Sequence, residues 1–286
     1  MIEETAATSL FMQGESDGHG GELVIATDLS RGPWDPRFLH GGPVSALLAG
    51  AIESARSAEF VHPSHSVTAG DLMHVARCTV ELERPVPADT PMRVVTEITR
   101  PGRKVQLVDA RLLVGDQVIA RARGMRIRTA DIALPDTEEA SAEKPPRPPS
   151  GARGETPDDG ASYAAFHNTA NEMRFVEGSW AERGPVTVWV RLLVPVLPGL
   201  VPSPLQRVAA ATDFGNGVSS VLPWETHTFI NPDLTIHTHR PLVGEWVGMK
   251  SKMHVAANGV GFAESALFDE RGRFGRSVQS LLLEAR

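Results

Sequence analysis

The stretch NPDLTIHTHRP, residues 231–241, sets one acid and two imidazoles at alternate positions of a run that reads as a β-strand. Successive strand side chains point to opposite faces, so Asp233, Thr235, His237 and His239 share one face and Leu234, Ile236 and Thr238 the other. Carboxylate and imidazole are the side chains that exchange protons near neutral pH, which makes the polar face a candidate for acid–base chemistry. Metal binding is the competing use. Asp233 and His239 are six residues apart, about 20 Å along a strand, whereas the ligands of one ion lie about 2 Å from it. No metal is expected, and His237 and His239 are read as lining a channel or satisfying neighbouring carbonyls.

The composition narrows the partners. The chain has 28 basic and 35 acidic residues, a net charge of -7, and no Lys/Arg tract. That argues against a surface built to neutralise phosphates, so no nucleic-acid partner is expected and small molecules are. Cys78 is the single cysteine. It can form no internal disulfide and reads as a small buried hydrophobe in a reducing compartment. The first residues carry acids where a signal peptide carries bases, and apolar runs are too short to cross a bilayer. A cytoplasmic protein without a membrane partner is expected.

The polar strand needs a scaffold, and the chain supplies one twice. Residues 131–160 are rich in Pro, acids and small side chains and read as a linker between residues 1–130 and 161–286. In the first part, a helical run opening HGGP, with Pro43 in its first turn, precedes alternating β-branched runs separated by turns. In the second part, SPLQRVAAATDFG is helical with Ser203 as N-cap, and similar strands follow; its TDFGNG end reads as helix-stop and turn chemistry. Arg84-Pro85 matches Arg240-Pro241 at an offset of 156, and VQLVDARLL matches VGFAESALF at 155. The fold class expected is α+β: a tandem repeat of one long helix wrapped by an antiparallel sheet, the two units pairing as a pseudo-dimer.

Duplication makes each half a control for the other. Asp233 corresponds to Arg77, His254 to Ile98 or Thr99, and Gln279 to Gly124, so three polar groups lack counterparts and a single site is expected. Acid, imidazole and amide on separate strands can hold a water, the acid accepting its proton while it attacks a carbonyl. Donors for the developing oxyanion are expected at His40, Gly41 and Gly42, where a helix N-terminus offers free N–H groups and glycines permit close approach.

FLHGGPVSALLAGAIESA, DLTIHTHRP, NGVGFAES and GRSVQS together resemble the acyl-CoA thioesterase II (TesB-like) family over nearly the whole sequence outside the tail and linker. The resemblance implies a double hotdog fold and hydrolysis of acyl-CoA to free acid and CoA by direct water attack, without a cofactor. It implies that an Asp, a Thr or Ser, and a Gln bind that water, roles carried onto Asp233, position 254 and Gln279. This sequence has His254 where a hydroxyl is usual and Ser280 where a glutamate usually follows the Gln. An acyl-CoA partner and a homo-oligomer are expected. A hotdog enoyl-CoA hydratase, or an acyl-ligand binder without activity, remain alternatives.

Overall fold

The computed structural model describes residues 8–14, 21–55, 73–135, 143–156 and 163–286. In the first half, β1 (Phe11–Gln13) and β2 (Glu22–Ala26) precede α1 (Gly41–Ser54), followed by β3 (Met73–Leu82), β4 (Met92–Arg100), β5 (Val105–Val114) and β6 (Gln117–Arg128). The second half runs β7 (Arg153–Glu155), α2 (Phe166–Thr169), β8 (Asn171–Glu177), β9 (Val186–Leu192), α3 (Pro204–Thr212), α4 (Gly215–Val218), β10 (His227–Ile230), β11 (Asp233–Thr238), β12 (Trp246–Val255), β13 (Val260–Asp269) and β14 (Gly272–Ala285). Among these residues no helix is long and apolar enough to cross a membrane.

All the strands belong to one antiparallel sheet, ordered β1-β2-β4-β5-β6-β3-β11-β14-β13-β12-β9-β8-β7, with β10 extending β14 beyond β11. The halves join at β3–β11. Thr235 opposes Thr79 there, and their hydroxyls are 3.2 Å apart. These two residues are separated by the same 156 positions that relate the halves in sequence, so they sit where a pseudo-dyad maps one half onto the other.

Helix α1 is buried nearly all round, as its run of Val, Ala, Leu and Ile requires. It packs directly on α3, and a Cβ placed on Gly50 would lie 2.3 Å from the Gln206 amide. The small residues of α1 therefore serve close helix contact and leave no cavity beside the fully buried Ala46 and Ala49. One apolar cluster draws on both halves, including Val44 and Leu48 of α1 with Val208 and Phe214 at α3.

Two expectations change. The second helix is not long: α3 has nine residues against fourteen in α1. Ser203 caps it as expected, in a reciprocal box with Gln206, but Asp213, Gly215 and Gly217 follow, and poor helix formers there end it and begin the short α4. The stretch expected as a linker also carries structure. Its β7 pairs with β8, the Glu143 carbonyl accepts from Arg273 N (2.9 Å), and the Arg147 carbonyl accepts from Trp189 Nε1 (2.7 Å). The indole N–H of a buried tryptophan needs an acceptor, and this segment provides it. Residues 136–142 and 157–162 of that stretch lie outside the described residues.

Candidate active site

Helices α1 and α3 lie side by side so that the N-terminus of α1 meets the end of α3, and Asp213 stands at that junction. Asp213 caps the C-terminal end of α3, an unfavourable place for an anion with respect to that helix's own dipole. The opposing N-terminus of α1 offsets this. Asp213 is only 3% exposed, and its carboxylate is ringed by donors. Asn231 Nδ2 donates to Oδ1 at 2.8 Å, His40 Nδ1 lies 2.8 Å from Oδ2, and Gln279 Nε2 donates to the backbone carbonyl at 3.1 Å and more weakly to Oδ1 at 3.4 Å. A buried carboxylate is tolerated when its lone pairs are filled in this way.

The backbone closes tightly around the acid. A Cβ on Gly41 would lie 2.8 Å from both Asp213 oxygens, so only glycine brings the start of α1 this near. A Cβ on Gly215 would lie 2.8 Å from Gln279 Oε1. Gln279 is 1% exposed, and its oxygen accepts from Asn216 N at 3.2 Å. Its amide thus ties β14 to both Asp213 and the first turn of α4. Asn216 Nδ2 in turn reaches the Phe229 carbonyl and Asn231 Oδ1.

His40 is the N-cap of α1, and its Nδ1 accepts from Gly42 N at 3.0 Å. That nitrogen has one site. It carries a proton toward Asp213 or presents a lone pair to Gly42 N–H, and the two contacts alternate with tautomer. Phe166 and Phe214, stacked at 5.3 Å, both pack on the imidazole at about 5 Å.

The sequence-derived residues do not all converge. His40, Gly41, Gly42 and Gln279 gather at Asp213. Asp233 does not. Thr235 opposes Val278 on β14, which places Asp233 beside Ser280, on the face opposite to Gln279. Asp233 Oδ1 accepts the Ser280 N–H at 2.6 Å. The β-ladder is interrupted there, between the β10 and β11 pairings and next to Pro232, and the carboxylate takes up the freed amide. His254 is also on the outer face, stacked on Phe262 at 4.5 Å and 3.4 Å from Glu264. Met253 beside it points inward, so the strand's alternation carries His254 away. His237 and His239 are solvent-exposed, and among the described residues no three His, Cys, Asp or Glu side chains assemble as a metal site.

Asp213 and Asn231 escaped the sequence reading. Asp213 sits within TDFGNG, which helix-stop chemistry explained too easily. The available signal was an acid placed directly after the small, largely apolar run VAAAT. The pseudo-dyad supplies a control. Glu53 near the end of α1 bonds Ser203, the N-cap of α3, as Asp213 meets His40, but Gly124 stands for Gln279 and Val75 for Asn231. Among the described residues the full polar set exists once.

Asp213, His40, Gly41 and Asn231 open onto a cavity of about 440 Å³ lined by both halves, including Val44, Leu82 and Pro85 from the first and Phe214, Trp224 and Ile230 from the second.

Family models for the acyl-CoA thioesterase N-terminal and C-terminal domains match residues 30–127 and 139–283. No curated protein sequence matches the chain. Solved structures do. A candidate thioesterase II from Thermobifida fusca aligns with a TM-score of 0.69 at 16% identity, over 97% of this chain and 96% of its own. A protein of unknown function with a hot dog fold from Alicyclobacillus acidocaldarius scores 0.68 at 13% identity, over 95% and 96%. Acyl-CoA thioesterase II of Mycobacterium marinum scores 0.60 at 15% identity, over 92% and 93%.

Proposed function

The chain belongs to the acyl-CoA thioesterase family and hydrolyses acyl-CoA thioesters, and on that premise we propose that Asp213, not Asp233, is its general base. The observation that carries this is the buried Asp213 carboxylate held by His40, Asn231 and Gln279 at the wall of a cavity reached by the N-terminus of α1 and the end of α3. In this reading the acid and hydroxyl roles that the resemblance carries onto Asp233 and position 254 fall to Asp213 and Asn231, with an amide in place of the hydroxyl, and Gln279 supports them.

In this reading a water beside Asp213 and Asn231 attacks the thioester carbonyl. Asp213 takes its proton, the carbon–sulfur bond breaks, and the proton passes to the departing CoA sulfur. The oxyanion is met by amides at the start of α1, Gly41 and Gly42, whose dipole favours negative charge. His40 shares one nitrogen between the two groups: while its Nδ1 proton faces Asp213, the Gly42 N–H is freed from that acceptor. Gln279 is 1% exposed, does not line the cavity and has both ends engaged by protein, so it is a positioning residue that holds Asp213 and α4 rather than a water ligand.

The double hotdog pseudo-dimer, with residues 1–130 and 161–286 as its units, is supported by the dyad at Thr79 and Thr235. A homo-oligomer and a cytoplasmic location belong to the same reading, supported by the family resemblance and by composition. One contact favours a second reading: His40 and Asp213 form the close acid–imidazole pair that a hotdog hydratase uses. Thiol release from saturated and α,β-unsaturated acyl-CoA separates the two, since hydration frees no thiol. Release from saturated substrates that falls with Asp213→Asn supports the hydrolase, and loss of enoyl absorbance without thiol supports the hydratase.

A further inference from the structure

Resting on the thioesterase reading, we propose that the acyl group this site selects is compact and aromatic, an arylacyl or aroyl thioester, rather than a long straight chain. The cavity has a closed floor and an aromatic wall. Its floor is His40 packed on the stacked Phe166 and Phe214 rings, which among the described residues closes the way past the N-terminus of α1. The obvious route deeper, along the small residues of α1, is filled by α3, because Gly50 abuts Gln206 and Ala46 and Ala49 are fully buried. Among the described residues a long chain therefore has no channel between the two helices at Ala46, Ala49 and Gly50.

The wall is a run of three half-buried tryptophans, Trp34 against Trp224 at 4.9 Å and Trp180 against Trp224 at 6.1 Å, backed edge-on by Phe229 at 4.5 Å from Trp224. All three indoles line the cavity. Rings stacked in this way are pre-organised and lose little freedom when a ligand packs on them, and an aromatic partner gains a specific contact beyond area burial. Each such ring contact corresponds to about a two- to tenfold preference. Exposed Arg84 is a basic side chain at the rim, so the anionic CoA moiety leaves by that side while the acyl group faces the indoles.

The test compares phenylacetyl-CoA with dodecanoyl-CoA on the full chain, by thiol release for kcat/KM and by tryptophan fluorescence for binding. The expected result is kcat/KM at least about tenfold higher for phenylacetyl-CoA, with tighter binding. Trp180→Leu should lower that ratio about fivefold or more, and Phe214→Ala, by opening the floor, should raise turnover of dodecanoyl-CoA. Dodecanoyl-CoA turned over and bound as well as or better than phenylacetyl-CoA by the unaltered protein would overturn the inference, whether or not the variants fold. The hydrolase reading fails differently: no thiol would be released from either compound, and the binding preference alone would then decide the acyl class.

Discussion

Asp213 and Asp233 differ in surroundings more than in chemistry. Asp233 spends a lone pair on the Ser280 amide at a gap in the ladder, whereas Asp213 is enclosed by an imidazole and two amides. Gly41 makes that enclosure possible. Gly41→Ala would press a methyl within 2.8 Å of both Asp213 oxygens, so kcat should fall about tenfold or more, by displacing the base from its donors, while the protein still folds. Steady-state kinetics with a thermal melt checks this, and an unchanged kcat would mean that the helix start can retreat without consequence. Cys78 is fully buried, and burial pushes its thiol up to about 12. At neutral pH it is protonated and shielded, so the native protein should give no reaction with a disulfide thiol reagent and one thiol after unfolding. A native thiol count near one would contradict that burial.

At the level of elements, the sequence showed period, caps and duplication, because those depend on neighbours in the chain. The α1 run, the Ser203 cap and the strands of both halves could be read that way. What could not be read was which strand face points inward at an interruption. Pro232 breaks the ladder, so alternation does not carry across it: Asn231 before the break faces the end of α3, while Asp233 after it lies on the opposite face beside Ser280. Nor did helix spacing reveal that α3 ends against the start of α1, which is a tertiary fact. The Ser203 cap lends itself to measurement. Its hydroxyl accepts from Gln206 N and bonds Glu53, so Ser203→Ala should cost about 1 kcal/mol, a fall in Tm of roughly 2–4 °C. Activity per folded molecule should persist, since the cap lies at the end of α3 away from Asp213. A loss of kcat without loss of stability would assign that end of the helix pair a part in the chemistry.

For the whole molecule, duplication followed by divergence explains why one site holds the full polar set. The dyad at Thr79 and Thr235 superposes Gly124 on Gln279 and Val75 on Asn231. The halves also share an apolar cluster and the β3–β11 seam, so they should remain together if the connection is cut. Trypsin nicking within residues 131–160 should leave both fragments co-eluting on size exclusion under native conditions, and separation would show that the seam alone does not hold them.

The role of Asp213 as the base is tested most directly by single-turnover thiol release from one acyl-CoA with Asp213→Asn and Asp233→Asn in parallel, each shown folded by circular dichroism. Asp213→Asn keeps size and most contacts but removes the proton acceptor, so the rate should drop by about 10²- to 10⁴-fold. Asp233→Asn retains an oxygen for the Ser280 amide and should stay within about threefold of the unaltered protein. A near-normal rate for Asp213→Asn, with the large loss falling on Asp233→Asn, would contradict the site assigned here.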